Sequence, residues 1–327
     1  MSGSKQGKEM AGKMGLVIGV CALVLGLASC AEKPNHTEFD FVVLADTAYK
    51  VPQDYPAYEK LIERINQESP AFSIHLGDVF SGQTNCGTEN LMRVKADFEK
   101  FENPLVYTLG DNEWTDCHGV ASGGYDPLER LANIRKQFFS EKASLGQEKL
   151  FLESQAAMGS GLVENALWQK GDVLFATFHI VGSNNGLTAT ASEETKSAFE
   201  TRNMANAQWL KEVFEQADKR GAKALVLAYH ANIFAEPANP DGFKDMRALI
   251  GQYGDTFGKP VLLLHGDHHQ FVVDRPYLTP AKKAPGANII RLQTYGWPDA
   301  KAVKIHVDTS TEGVFSFGPL YAGDGFY

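Results

Sequence analysis

The feature that most constrains this chain is a repeated pattern in which a short apolar segment is followed by an acidic residue or a histidine. The five segments are Phe39 to Leu44 before Asp46, Ala71 to Leu76 before Asp78, Leu105 to Leu109 before Asp111, Ala224 to Ala228 before His230, and Val261 to Leu264 before Asp267. Apolar runs of this length predict buried β-strands. Residues 56–69 and 91–101 lie between them and carry apolar residues at helical spacing. Strands that alternate with helices predict a layered α/β fold.

The second half of the chain continues this pattern. Residues 173–181 predict another strand, and residues 194–219 predict a long amphipathic helix. The tail segments 271–273, 288–290 and 303–307 predict strands that complete a second sheet. No linker or repeat divides residues 39–327, so we expect one domain there.

Composition excludes several classes of protein. The chain has 327 residues, of which 43% are hydrophobic and 22% charged, which is typical of a globular protein with a large core and not of a disordered chain, collagen or a coiled coil. The formal net charge of −9 offers no basic field for a phosphate backbone. We therefore expect no duplex nucleic acid as a partner.

The N-terminus has the pattern of an export signal. Three lysines within the first 15 residues precede an apolar run at residues 16–27, which predicts a signal peptide over residues 1–29. The run ends in Leu27-Ala28-Ser29-Cys30, which resembles the bacterial lipobox. This resemblance implies a lipid on Cys30. The alternative is a plain cleaved signal with an incidental cysteine.

Lipidation of Cys30 implies that residues 30–38 form a tether. Residues 39–327 would then be the exported domain, anchored to a bacterial membrane and facing the periplasm or the cell surface. A single acyl chain anchors only weakly, so stable attachment requires more than one.

The cysteines predict one disulfide. Cys21 would leave with the signal and Cys30 would carry lipid, so Cys86 and Cys117 are the remaining pair in an oxidising compartment. We expect them to be bridged, with a stabilisation of about 3 to 4 kcal/mol in the chain-entropy model. Two free thiols are the alternative. The bridge would connect the loops that follow Asp78 and Asp111.

The polar residues after the strands predict a metal site. In open α/β sheets, ligands bind at the carboxyl ends of the strands. Carboxylates gathered there repel one another unless a cation neutralises them. A single Gly-Asp turn is a weak signal, whereas five such strand ends together are a strong one.

These motifs resemble those of the calcineurin-like metallophosphoesterase superfamily, which includes the purple acid phosphatases. The resemblance covers residues 39–275 in motif order and spacing, and its motifs are Asp46-Thr-Ala48, Gly77-Asp78, Gly110-Asp-Asn-Glu113, His230 and Gly266-Asp-His-His269. The sequence around Gly110-Asp-Asn-Glu-Trp114 is similar to that of a bacterial branch of the superfamily. The implied fold is a four-layer α/β/β/α sandwich in a single domain.

The resemblance also implies a ligand set for two divalent metal ions. Asp46 and His269 would hold the first metal, and Asp78 would bridge both. Asp111 and His230 would hold the second metal, which Asp267 could complete with an oxygen ligand.

The chain departs from the family pattern at three positions. Ala48 replaces a usual ligand, Asp111 stands where asparagine is usual, and Asn112 stands where the family often has a catalytic histidine. The set is therefore rich in oxygen ligands, which favours Mn²⁺, Mg²⁺ or Ca²⁺ over iron or Zn²⁺.

The expected reaction is hydrolysis of a phosphate mono- or diester by a hydroxide that bridges the two metals. Asn112 is a catalytic candidate by position. The proton for the leaving group could come from His268, His179 or a metal-bound water, or no acid is used. His179 also fits a core position, and Asn184 and Asn185 in the following turn are candidates for substrate binding.

The sequence therefore predicts a monomeric, lipid-anchored metallophosphoesterase. One alternative is a non-catalytic surface lipoprotein that keeps the fold and a degenerate metal site, which Ala48 and Asn112 favour. A second alternative, an exported solute-binding lipoprotein, does not explain the polar residues at five strand ends.

Overall fold

Two β-sheets pack face to face in the computed structural model, which describes residues 36–158, 161–187, 191–278 and 287–323. The predicted signal peptide, Cys30 and most of the tether lie outside these ranges. The five-stranded sheet consists, in spatial order, of β12 (Phe315–Tyr321), β11 (Lys301–Asp308), β1 (Glu38–Leu44), β2 (Ser73–His75) and β3 (Leu105–Tyr107). The seven-stranded sheet consists of β4 (Glu153–Ser154), β5 (Ala166–Lys170), β6 (Val173–Thr177), β7 (Ala224–Ala228), β8 (Val261–His265), β10 (Ile289–Gln293) and β9 (Val272–Asp274).

Helices cover the outer face of each sheet. They are α1 (Tyr55–Glu68), α2 (Thr88–Phe98), α3 (Pro127–Phe138), the single turn α4 (Gly182–Asn185), α5 (Glu193–Lys219) and α6 (Lys244–Phe257), with 3₁₀ turns at Thr115–His118 and Gln155–Met158. Side-chain caps fix two of the starts, because Asp126 accepts from the Glu129 amide and Ser192 from the Thr195 amide. None of the helices in the described ranges is long and apolar enough to cross a membrane.

Three apolar cores separate four layers. Along β1, Phe41 and Val43 point into the core between the sheets, whereas Val42 and Leu44 face α1 and α2. Strand β7 does the same on the other side, where Leu225 packs against α5 and α6. Alternation of side chains with period two lets one strand serve two cores. The predicted α/β/β/α sandwich is therefore the observed fold.

One predicted strand lies in a different sheet from the one expected. The sequence predicts that all three tail segments complete a second sheet, but only β9 and β10 do so. Strand β11 pairs antiparallel with β1, with Ile305 opposite Phe41. The reason is that β1 has a free edge, and β11 covers it while burying Val303 and Ile305 between the sheets.

Strand direction sets the position of the site. Strands β1, β2 and β3 run parallel, and so do β6, β7, β8 and β10. The loops that leave the carboxyl ends of these two parallel sets carry the acidic residues and histidines of the recurring motif.

Candidate metal centre

The polar residues that follow the five strands come together in two adjacent groups. Potential ligand atoms of Asp46, Asp78 and His230 lie within 4.8 Å of one another, and those of Asp111, His230 and Asp267 do so as well. His230 belongs to both groups. The arrangement therefore offers two neighbouring positions for a cation.

The tautomer of His230 shows why a cation fits there. Its Nδ1 lies 2.8 Å from the carbonyl oxygen of Leu76, which can only accept, so Nδ1 carries the hydrogen. The Nε2 lone pair then faces Asp111 Oδ1 at 3.0 Å and Asp78 Oδ1 at 3.4 Å. Among the described residues, neither His230 Nε2 nor Asp111 Oδ1 has a hydrogen-bond partner, although both are buried. A divalent cation bound between Nε2 and these carboxylates would take the place of a proton on Nε2.

The electrostatics of the buried carboxylates also favour a bound cation. Burial raises the pKa of Asp46 to about 7 and raises the pKa of Asp78 well above its ordinary value. Burial acts to lower the pKa of His230, but the carboxylates of Asp78 and Asp111 raise it well above its usual range. These shifts express the cost of placing several carboxylates together away from water, and a divalent cation offsets that cost.

Backbone conformation at the site is unusual. Asp46, Asp78, Asp267 and His269 have φ angles of 55°, 51°, 78° and 59°, in the left-handed region that costs a residue with a side chain about 1 kcal/mol or more. Such strained residues cluster at functional sites. The conformation turns each side chain from the strand end toward the common centre.

Glycine is required where the backbone approaches a ligand. A Cβ atom on Gly110 would lie 2.1 Å from Asp78 Oδ1, and one on Gly266 would lie 2.4 Å from Asp46 Oδ2. Any larger residue would displace these carboxylates. The glycines of the Gly-Asp motifs therefore leave room for the ligands as well as forming the turns.

Tyr49 is a site residue that sequence reasoning missed. Its hydroxyl donates to Asp78 Oδ2 at 2.8 Å and lies 3.3 Å from His269 Nε2 and 3.4 Å from Asp46 Oδ1. Burial and the carboxylate of Asp78 raise the pKa of this phenol. Ala48, next to it, offers no ligand atom. The available signal was an oxygen-bearing side chain in the Asp46 loop, directly after the missing ligand.

His269 lies beside Asp46 at the edge of the centre. Its Nδ1 is 2.8 Å from the carbonyl oxygen of Trp297, so Nε2 faces Asp46 Oδ1 at 3.6 Å. The Tyr49 ring contacts the His269 ring edge-on and stacks on the Trp297 ring at 10°. Tyr49, Asp46 and His269 thus surround one side of the centre.

Asn112 and the disulfide support Asp78. The Asn112 side chain donates to Asp78 Oδ2 at 2.7 Å, and its amide donates to Asp78 Oδ1 at 3.1 Å. The predicted disulfide is present, with Cys86 and Cys117 at a Cα separation of 5.8 Å. Each sulfur lies 3.5 Å from the carbonyl oxygen of Asn112. The bridge therefore lies directly beneath the residue that orients Asp78.

Asp267 and His268 form the outer rim of the centre. Asp267 Oδ2 accepts from the Asn232 amide at 2.8 Å. The His268 side chain is 48% exposed, and its Nε2 lies 3.8 Å from Asp267 Oδ2. Its Nδ1 lies 3.0 Å from the Asn232 side-chain nitrogen. His268 is therefore the candidate acid that combines solvent contact with nearness to a ligand.

The three residues predicted to contact substrate lie in supporting positions. His179 is buried with Nδ1 2.6 Å from Glu164, and burial lowers its pKa to about 4. Asn185 is buried and accepts from the Val181 amide, and Asn184 donates to the Pro240 carbonyl oxygen. Within the described residues, none of their hydrogen bonds reaches a candidate ligand.

The residue of that turn that does reach the centre is Ser183. Its hydroxyl donates to Asp111 Oδ2 at 3.0 Å. Ser183, Asn184 and Asn185 have φ angles of 48°, 55° and 59° in succession, so α4 is a left-handed turn. The sequence marks the turn as polar, and Asn184, Asn185 and Gly186 are residue types that favour left-handed backbone. Nothing in it indicates that Ser183 is the side chain turned toward Asp111.

No family model matches the chain, and no curated protein matches it. Among solved structures, a dimetal phosphatase from Danio rerio has a TM-score of 0.51 at 11% identity over 87% of this chain and 99% of the other. PhoD has a TM-score of 0.51 at 11% identity over 83% of this chain and 64% of its own, so this chain spans under two thirds of PhoD.

A purple acid phosphatase from yellow lupin has a TM-score of 0.46 at 10% identity over 87% of this chain and 54% of its own. The assignment of the fold rests on the first two structures. The chain has the mixed α/β fold seen in metallophosphatases, and its Asp/His cluster lies at the carboxyl ends of the strands.

Proposed function

We propose that this protein is a metal-dependent phosphoesterase that hydrolyses phosphate mono- or diesters. The observation that carries the proposal is the convergence of His230 Nε2 on Asp111 Oδ1 at 3.0 Å and on Asp78 Oδ1 at 3.4 Å, inside a ring of buried carboxylates. The fold of the dimetal phosphatase neighbour supports it.

The residues fit two divalent cations. Asp46, His269 and Tyr49 would hold the first, Asp111, His230 and Asp267 the second, and Asp78 would contact both. When bound, the cations would polarise the phosphoryl group and activate water for in-line attack. The excess of oxygen ligands favours Mn²⁺, Mg²⁺ or Ca²⁺, and iron or Zn²⁺ also suit a set that includes imidazoles.

The other polar residues position the reacting groups. Asn112 holds both oxygens of Asp78 through two hydrogen bonds, which fixes the shared ligand. Ser183 orients Asp111 in the same way. His268 is the candidate for protonating the leaving oxygen, because its imidazole is half exposed beside Asp267.

We also propose export and lipid anchoring through Cys30. The N-terminal pattern at residues 1–30 supports this location. The Cys86–Cys117 disulfide is compatible with an oxidising compartment. A monomer that takes a small phosphorylated substrate, with no duplex nucleic acid, completes the proposal.

One alternative function has a specific observation in its favour. The Asn112 side chain donates to Asp78 and to the Phe80 carbonyl oxygen, so it holds the loop and brings no imidazole to the centre. Ala48 brings no ligand atom. A surface lipoprotein that binds metal without turnover would have these features.

The test is hydrolysis of p-nitrophenyl phosphate and bis(p-nitrophenyl) phosphate by the full chain, stripped of metal and reloaded with Mn²⁺. We expect turnover that requires metal and is lost in Asp78→Asn. Asp255→Asn, an exposed acid on α6, is the matched control and should retain full activity. Metal binding without turnover of either ester would favour the alternative.

A further inference from the structure

A cavity of about 420 Å³ lies beside Asp111, in the part of the centre proposed to hold the second cation. It is bounded by the loop after Asp111, the left-handed turn α4 and the first turns of α5. Ser183 lines it and also donates to Asp111 Oδ2. A phosphate ester held at the centre could therefore place one substituent in this cavity, whose volume is in the range of small-molecule sites.

Two buried donors in the cavity wall have no partner. Arg202 and Trp114 line the cavity and are 5% and 3% exposed. Among the described residues, Arg202 Nε and Trp114 Nε1 make no hydrogen bond. The guanidinium lies 5.0 Å from the centre of the Trp114 ring. Unpaired buried N–H groups are costly, so both donors would gain from an acceptor atom placed within their reach.

Acceptors also line the cavity. The carboxylates of Asp116, Asp126 and Glu194 belong to its wall, with Arg202 as the one fixed cation among the described lining residues. Asp116 Oδ1 lies 3.0 Å from the Ser183 hydroxyl, whose one hydrogen it shares with Asp111. Asp126 caps α3, and Glu194 is exposed in the first turn of α5. This excess of negative charge disfavours a second anionic group on the substrate.

The buried N–H donors and the carboxylates of the wall together restrict the chemistry of the group that can bind in the cavity. A quaternary ammonium would suit the carboxylates, but it has no acceptor for Arg202 Nε and Trp114 Nε1. A hydroxyl both accepts and donates, so it can satisfy the buried N–H groups and the carboxylates together. Leu128, which is half-buried in the wall, supplies an apolar surface for the C–H face of a sugar ring.

We propose that this cavity binds a hydroxyl-rich substituent, a sugar or a polyol, of the phosphate ester. The inference rests on the proposed phosphoesterase function and narrows its substrate class. Glu194 is a specificity residue that accepts from substrate hydroxyls, and Ala198 on α5 borders the space that the substituent fills.

The test compares kcat/KM for glucose 6-phosphate, glycerol 3-phosphate, phosphocholine and p-nitrophenyl phosphate in the Mn²⁺-loaded full chain. Glu194→Gln is paired with Glu193→Gln, since Glu193 is the adjacent exposed acid, bonds Lys196 and lies outside the cavity wall. Ala198→Leu fills the cavity and is paired with Ser197→Leu, an exposed neighbour on the same helix.

We expect at least tenfold preference for a sugar or glycerol ester over phosphocholine. Glu194→Gln should reduce that preference about three- to tenfold and Ala198→Leu more than tenfold, with both control variants unchanged. Preference for phosphocholine, or a preference that neither cavity variant alters, would overturn the inference.

Binding of methyl α-glucoside, followed by saturation-transfer NMR, separates this inference from the proposed function. If no ester is hydrolysed but the glucoside binds and Ala198→Leu abolishes binding, the phosphoesterase proposal fails and the cavity assignment stands. If esters are hydrolysed and the glucoside does not bind, the cavity assignment fails alone.

Discussion

The proposed metal centre has two halves that are built differently. The first half contains Asp46, His269 and Tyr49, and the second half contains Asp111, His230 and Asp267. In the second half, His230 is fully buried, and Asp111 is held by Ser183 beside the disulfide-bridged loop. In the first half, the His269 side chain is 25% exposed, and Tyr49 reaches the centre from the β1 loop. The histidine of the second half is braced by the core, whereas the histidine of the first half is held by aromatic contacts near the surface.

This difference suggests a division of roles. A buried, braced ligand set loses little conformational freedom on binding a cation, so it should bind tightly. The first half contains the Tyr49 phenol. This half opens toward a wide polar groove lined by Tyr49 and Lys50. We expect the second cation to bind more strongly and the first to exchange more readily.

The largest expected effect comes from removing the histidine that both groups share. His230→Ala should lose both cations and lower kcat/KM by more than about 100-fold, because even the partners of ligands cost 10–100-fold when removed. His269→Ala should lose only the first cation. Metal content of both variants by mass spectrometry checks this, and equal loss in the two would contradict the division between halves.

Removing the disulfide tests the bracing of the second half. Cys86 and Cys117 are separated by 31 residues, and replacing both with alanine should lower the free energy of unfolding by about 3 to 4 kcal/mol. Because the sulfurs touch the Asn112 carbonyl oxygen, metal affinity should fall as well. Urea unfolding and a Mn²⁺ titration measure the two effects. Unchanged metal affinity would limit the bridge to stabilising the fold.

The buried His179 makes the fold sensitive to acid. Burial lowers its pKa to about 4, so between pH 6.5 and pH 4 the unfolded chain binds a proton that the folded chain does not. Stability from this group is present at pH 7 and is lost as pH falls, by about 2 kcal/mol at pH 5.

Urea unfolding at pH 7 and pH 5 checks this prediction in wild type and in His179→Gln, since other groups titrate in both. The loss between the two pH values should be about 2 kcal/mol smaller in the variant. His118→Gln, on an exposed loop, should behave as wild type. An equal loss in all three proteins would show that His179 is protonated in the fold.

The smallest effect is expected for the phenol of the first half. Tyr49→Phe removes a hydrogen bond to Asp78 and one oxygen beside His269, which should weaken the first cation about tenfold and leave the second unchanged. Tyr55→Phe, in the same groove, is the control. A two-site Mn²⁺ titration measures the affinity of each cation site separately. Equal weakening of both sites would contradict the assignment of Tyr49 to the first half.

The sequence predicts the strand-end residues of both halves and misses one loop residue in each. Asp111 and His230 follow apolar strands, and strand ends converge in any parallel sheet, so their meeting was predictable. Tyr49 and Ser183 reach the centre through left-handed or irregular loop backbone, which no periodicity reports. Strand β11 was placed in the wrong sheet because an alternating strand fits any free edge, and only the three-dimensional arrangement shows which edge is free.

The most direct test of the account is anomalous diffraction at the manganese edge from crystals grown with Mn²⁺. The account predicts two peaks about 3.5 to 4 Å apart, one between His230 Nε2 and Asp111 Oδ1 and one beside His269 Nε2 and Tyr49. The absence of a peak between His230 and Asp111 would contradict it.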